Sequence, residues 1–114
     1  MIQFIETTGF TDRIRKLALE PDLRLLQQEL LENPTKGKLD PGTGGVRKVR
    51  MPDSRHGKGK RGGARVHYLY LPKPAVIYLI FVFTKDEIDT LSPNQKKQVR
   101  RLAQAIKHEW RDRA

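Results

Sequence analysis

Between residues 42 and 65 the chain reads GTGGVRKVRMPDSRHGKGKRGGAR, which sets Arg47, Lys48, Arg50, Lys58, Lys60, Arg61 and Arg65 among glycines. Side chains of this kind can cleave RNA without a metal or a cofactor. The ribose 2'-OH attacks its own 3'-phosphate once a base takes its proton, provided that charge gathering on phosphorus is stabilised and an acid protonates the departing 5'-oxygen. Arginine offers a fixed fork to phosphate oxygens, and a lysine crowded by other cations has its pKa drawn down toward the range of a base. DNA, lacking the 2'-OH, is a poor substrate for such a site.

Other familiar sites lack a residue that their chemistry needs. Gly57 and Gly62 have the spacing of a phosphate-binding loop, but Gly63 stands where its Lys belongs and no Ser or Thr follows. Gly42-Thr43-Gly44 begins a dinucleotide fingerprint, yet Arg47 takes the place of the third glycine and a strand pattern follows. Pro52-Asp53 has no partner acid with a Lys two residues on. His56, His67 and His108 lack ligand spacing, and Asp86, Glu87 and Asp89 read as a solvated turn, so no metal is expected. The chain has no cysteine, hence neither a disulfide nor a cysteine-bound zinc.

Charge is concentrated along the chain. Residues 1–33 hold four Lys/Arg against six Asp/Glu, residues 34–65 hold ten against two, and residues 92–114 hold seven against two. Focused positive potential draws polyanions by steering and counterion release, which points to nucleic acid ahead of an anionic membrane surface. The strongest apolar run, residues 75–83, is too short to cross a bilayer, and Met1-Ile2-Gln3-Phe4 does not begin a signal peptide. A cytoplasmic protein with no membrane partner is expected.

At 114 residues the chain suits one domain, 1–114, with one modest core. Residues 2–6 read as a strand. Phe10, Ile14 and Leu17 form one helical stripe, and Leu23, Leu26 and Leu30 another, opened near Pro21 and stopped at Asn33-Pro34. Residues 46–51 alternate as a strand with Lys48 and Arg50 on one face and Arg47, Val49 and Met51 on the other, although Arg47 can reach out from the strand's start. Residues 64–71 form the next strand, with Val66, Tyr68 and Tyr70 facing away from Arg65 and His67. Residues 76–84 are a β-branched and aromatic run suited to a central strand covered on both sides. Ser92-Pro93-Asn94-Gln95 joins a cap, a proline at the first helical position and a capping-box Gln, opening a helix with Val99, Leu102, Ile106 and Trp110 on one stripe. The expected class is α+β, a single largely antiparallel sheet with helices in the order β-α-α-β-β-β-α. The loop over residues 52–63 is expected to be mobile, and a structural pairing of Arg65 with a helix acid such as Glu29 competes with a functional role.

The strings GTGGVRKVR, GKGKRGGARVHYLYL and YLIFVFTKDEIDTLSPNQKKQ, with the opening IQFIETTGFT, resemble the HigB branch of the RelE/ParE toxin superfamily over nearly the whole chain. The resemblance implies a RelE-like fold and the toxin of a two-gene toxin-antitoxin module: an endoribonuclease that cuts translated mRNA in the ribosomal A site and uses no cofactor. Implied partners are the ribosome, its mRNA and a helix-turn-helix, HigA-like antitoxin. By the same resemblance Lys48 and Arg50 are the paired basic residues that include the base, Arg65 contacts the scissile phosphate, and Lys85 stands near the leaving group. No Tyr follows Lys85 to serve as the family's C-terminal acid, which leaves His67 and Lys85 as candidates. Lys58, Lys60 and Arg61, with Arg47 and His67, are assigned to RNA contact. The competing expectation is a non-catalytic toxin of the ParE type that binds DNA gyrase, or a basic RNA-binding module.

Overall fold

The elements run β1 (Gln3–Glu6), α1 (Thr8–Leu17), α2 (Glu20–Glu32), β2 (Lys38–Leu39), β3 (Arg47–Met51), β4 (Ala64–Leu71), β5 (Val76–Thr84) and α3 (Pro93–Arg113), with a 3-10 turn at Ser54–His56. This is a computed structural model, and it describes residues 1–113. The α+β class and the three helices agree with the sequence reading. The element order does not: a further two-residue strand, β2, lies between α2 and β3. The sheet is also mixed, in the order β1-β5-β4-β3-β2, with β1 parallel to β5 and the other three pairings antiparallel. Lys38 and Leu39 are too short a stretch to show alternation, and they become a strand only because Lys48 and Arg47 lie opposite them.

Helix starts follow local chemistry. Thr7 caps α1 by accepting from the Phe10 amide at 3.1 Å, and the expected box at α3 is formed: Gln95 N donates to Ser92 Oγ and Ser92 N to Gln95 Oε1, at 3.1 and 2.8 Å. The apolar stripes of α1 and α2 place Phe10, Ile14, Leu23, Leu26 and Leu30 against Val49, Met51, Val66, Tyr68, Ile77, Leu79 and Val82 on one face of the sheet. On the other face α3 brings Val99, Ala103 and Ile106 onto Val46, Leu69 and Ile80. β5 is therefore central and covered on both sides, as its composition suggests.

One irregularity decides what the second face carries. His67 pairs with Phe81 and Tyr68 with Leu79, so Ile80 is an extra residue in β5. Such a bulge reverses the facing of everything beyond it. Without it, strict alternation from Ile77 and Leu79 would send Phe81 and Phe83 to the α1–α2 side; with it, they join the face of His67 and Arg65.

Candidate active site

The α3-side face of the sheet has two rows that cross three strands. Lys48 of β3 stands opposite His67 of β4, which stands opposite Phe81 of β5; one rung on, Arg50 faces Arg65 and Arg65 faces Phe83. Directly opposed residues share a face: Lys48 and Arg50 reach its surface, Arg65 and His67 are buried in it, and Phe81 packs against the core under α3. Lys85 lies just past the second row, and its amide donates to Gly63 O at 3.0 Å. The pairing thus gathers Lys48, Arg50, Arg65 and Lys85 at one end of the sheet. Sequence reasoning missed Phe81 and Phe83. Both are half-buried, with ring centroids 5.9 Å apart and planes at 23°, and only the bulge puts them there; no alternation pattern reveals it.

Arg65 is 2% exposed. Its Nε donates to Asp89 Oδ1 at 2.9 Å, and its terminal nitrogens donate to Lys60 O and Arg61 O at 3.3 and 3.0 Å. One planar guanidinium therefore ties the basic loop to the segment after β5. The partner is Asp89 and not Glu29, which pairs with Lys36 at 2.6 Å and Lys60 at 3.7 Å. Lys48 Nζ donates to the backbone carbonyl of Asp89 at 3.0 Å. The Asp89 carboxyl is held below the usual carboxylate range, first by the Arg65 hydrogen bond and then by the charges of Arg65, Lys48 and Lys85.

Arg50 is exposed and aims its charge at solvent. Arg47 turns the other way: its guanidinium donates to Gly37 O at 2.7 Å and Thr35 O at 3.3 Å, which employs it in holding residues 35–37. Lys58, Lys60 and Arg61 are exposed on the loop, Lys58 with Asp86 at 3.3 Å. That loop has a defined shape. Asp53 and Lys58 exchange both backbone hydrogen bonds at 2.8 and 2.9 Å, the Asp53 carboxylate accepts from the His56 amide, and Asp22 of α2 accepts from Ser54 N and Oγ.

Gly63 closes the loop by close approach. A methyl group there would lie 2.3 Å from Met51 O and 2.9 Å from Asp53 N, backbone atoms that cannot turn aside, whereas one at Gly59 meets nothing within 4 Å. Gly63→Ala is expected to cost about 2 kcal/mol or more and Gly59→Ala less than about 0.5 kcal/mol, read by denaturant unfolding. Equal midpoints would show that the close approach does not matter.

His67 is 1% exposed, and among the described residues neither ring nitrogen has a hydrogen-bond partner. Asp40 Oδ2 is 3.7 Å from its Nε2 and is itself paired with Lys96 at 3.1 Å. Burial pushes the imidazole down to about 4, against the pull of Asp40 and with the push of Lys48. The ring is thus neutral at pH 7 and closed off from solvent, and it is not presented to an RNA chain in this arrangement. Because the unfolded chain binds this proton below pH 6.5 and the folded chain only near pH 4, stability rises with pH across that window. The contribution lost on acidification is up to about 3 kcal/mol. Thermal unfolding from pH 7 to pH 4.5 should show this slope in the natural protein and a flatter one in His67→Gln; parallel curves would assign the acid sensitivity elsewhere.

Among the described residues no three His, Cys, Asp or Glu side chains gather at a common point, and no helix is long and apolar enough to cross a membrane. Matched against known protein families, the chain fits no family model.

Proposed function

We propose that this protein is a ribosome-dependent endoribonuclease, the toxin of a toxin-antitoxin module, as its resemblance to the HigB branch implies. The observation that supports this most directly is the gathering of cations on Asp89: Arg65 holds its carboxylate at 2.9 Å, Lys48 its backbone carbonyl at 3.0 Å, and the charge of Lys85 also bears on the carboxylate. Three cations from three separate segments bear on one anion at the edge of an open basic face, and a phosphodiester carries the same charge. In the proposed reaction the scissile phosphate takes the place of that carboxylate. Arg65 and Arg50 hold its non-bridging oxygens, Lys48 removes the 2'-OH proton, and the 2'-oxygen forms its bond to phosphorus as the bond to the 5'-oxygen breaks. Lys85 returns a proton to that oxygen, leaving a 2',3'-cyclic phosphate and a free 5'-OH. In this reading Phe83, half-buried opposite Arg65, stacks on a base next to the cut.

The test is to map mRNA 5' ends after brief induction, with translating and non-translating versions of one transcript. Cuts in register with codons, only on the translated message, carry the proposal. Intact RNA together with gyrase-dependent DNA damage would replace it with the binding reading.

A further inference from the structure

Beside the catalytic rows, on the outer side of β3, lies a groove of about 420 Å³ lined by Lys36, Gly37, Lys38, Lys48, Val49, Arg50 and Lys60. It exists because the β2–β3 ladder stops early. Lys38 faces Lys48, but Gly37 and Lys36, which would next oppose Val49 and Arg50, are drawn away. Gly37 N donates to Tyr68 Oη at 2.9 Å, Arg47 takes the Gly37 carbonyl, and Lys36 N donates to Asn33 O at 3.1 Å. Tyr68, fully buried, also donates to Pro34 O at 2.8 Å. The groove's outer wall is therefore pinned from within the core.

Five of its seven lining residues are cations, and Glu29 bridges two of them, Lys36 at 2.6 Å and Lys60 at 3.7 Å. Lys36 is raised above the ordinary lysine range, first by its hydrogen bond to Glu29. Lys48 and Arg50 belong to this groove and to the catalytic rows, so one strand of polyanion can run through both without a break.

We infer that this groove is a second phosphate-binding track, in which Lys36, Lys38 and Lys60 hold the backbone of the single-stranded RNA on one side of the cut. The inference rests on the nuclease reading for the identity of the polyanion. Lys36 and Lys38 act here through charge alone, and Glu29 occupies two of the cations until RNA displaces it.

The probe is a short single-stranded RNA methylated at every 2'-oxygen, which binds without reacting, titrated at several salt concentrations. For single strands the log–log salt slope changes by about 0.7 for each phosphate contact. Lys36→Ala/Lys38→Ala should therefore lower the slope by about 1.4, so that the affinity lost between about 50 and 200 mM salt shrinks by about sevenfold relative to the natural protein. Glu29→Gln should move affinity the opposite way, tighter, a result that damage to the fold cannot produce. Lys73→Ala, in the exposed turn between β4 and β5, is the control. If the double variant keeps the natural slope while codon-register cleavage persists, the track is overturned and the nuclease reading stands. Slope changes as expected in a protein that cuts nothing support the track and remove the nuclease. Failure of the natural protein to bind the RNA, or competition by polyglutamate as strong as by RNA of equal charge, overturns the track.

Discussion

If Lys48 is the base of the proposed reaction, Lys48→Ala should lower the single-turnover rate of mRNA cleavage on programmed ribosomes by roughly 10² to 10⁴-fold, the usual contribution of a positioned general base. Its side chain is half-exposed and donates a hydrogen bond to the Asp89 carbonyl, 3.0 Å away. Loss of that contact at the surface should move stability by no more than about 0.5 kcal/mol. The expected pattern is thus a folded, ribosome-binding, inactive protein. Lys48→Arg makes the test specific, because it keeps the positive charge but replaces an amine with a guanidinium, which cannot serve as a base in proteins. If Lys48 is the base, the arginine variant binds as tightly as the natural protein and cuts as poorly as the alanine variant. An arginine variant that restores cleavage would reassign Lys48 to electrostatic support, and an alanine variant that cuts normally would remove it from the site.

Arg65→Ala should have a double effect. The guanidinium holds Asp89 and two loop carbonyls at once and is nearly fully buried. Its removal leaves Lys60 O and Arg61 O without this donor and frees the segment around Asp89. Asp89 is half-exposed and regains water, so the cost falls mainly on the carbonyls and the vacated volume, about 2 kcal/mol. Cleavage should fall further than stability, by about 10²-fold or more, because the phosphate loses a pre-organised donor and the loop loses its tether. Lysine cannot reproduce three directed bonds from one planar group, so Arg65→Lys should rescue little. Hydrogen exchange is the check on the tether: amides of residues 58–63 should exchange faster in Arg65→Ala and unchanged in Lys48→Ala. If both variants lose cleavage with loop protection intact, Arg65 does not organise the loop.

The two variants separate functions that the resemblance grouped together. Lys48 and Arg50 reach the surface, while Arg65 works from beneath it. Arg47, expected on RNA, instead fixes the wall that carries Lys36 and Lys38.

Much of the fold was readable in the chain because local rules specify it. The stripes of α1 and α2, the Ser92–Gln95 box and the apolar run of β5 each depend on residues within one or two turns or along one strand. The facing of Lys48 and Arg50 away from Val49 and Met51 was readable for the same reason, since alternation is a property of one strand. What lay beyond reading is set by contacts between distant segments. Neither the parallel placement of β1 beside β5 nor β2 leaves a periodic trace. The partner of Arg65 was sought on the helices, but it lies 24 residues ahead on a turn that reads as solvated.

The chain by itself determined that a dense set of lysines and arginines would be carried on an alternating strand and a glycine loop, because charge and period are local properties. Tertiary structure decided which of those cations are free to meet a ligand. The Ile80 bulge turned two phenylalanines onto their face, Asp89 and the loop carbonyls took hold of Arg65, and the early end of a two-residue strand opened a groove beside Lys48. Exposure and pairing are sums over neighbours brought together by folding, and no window along the sequence contains those neighbours.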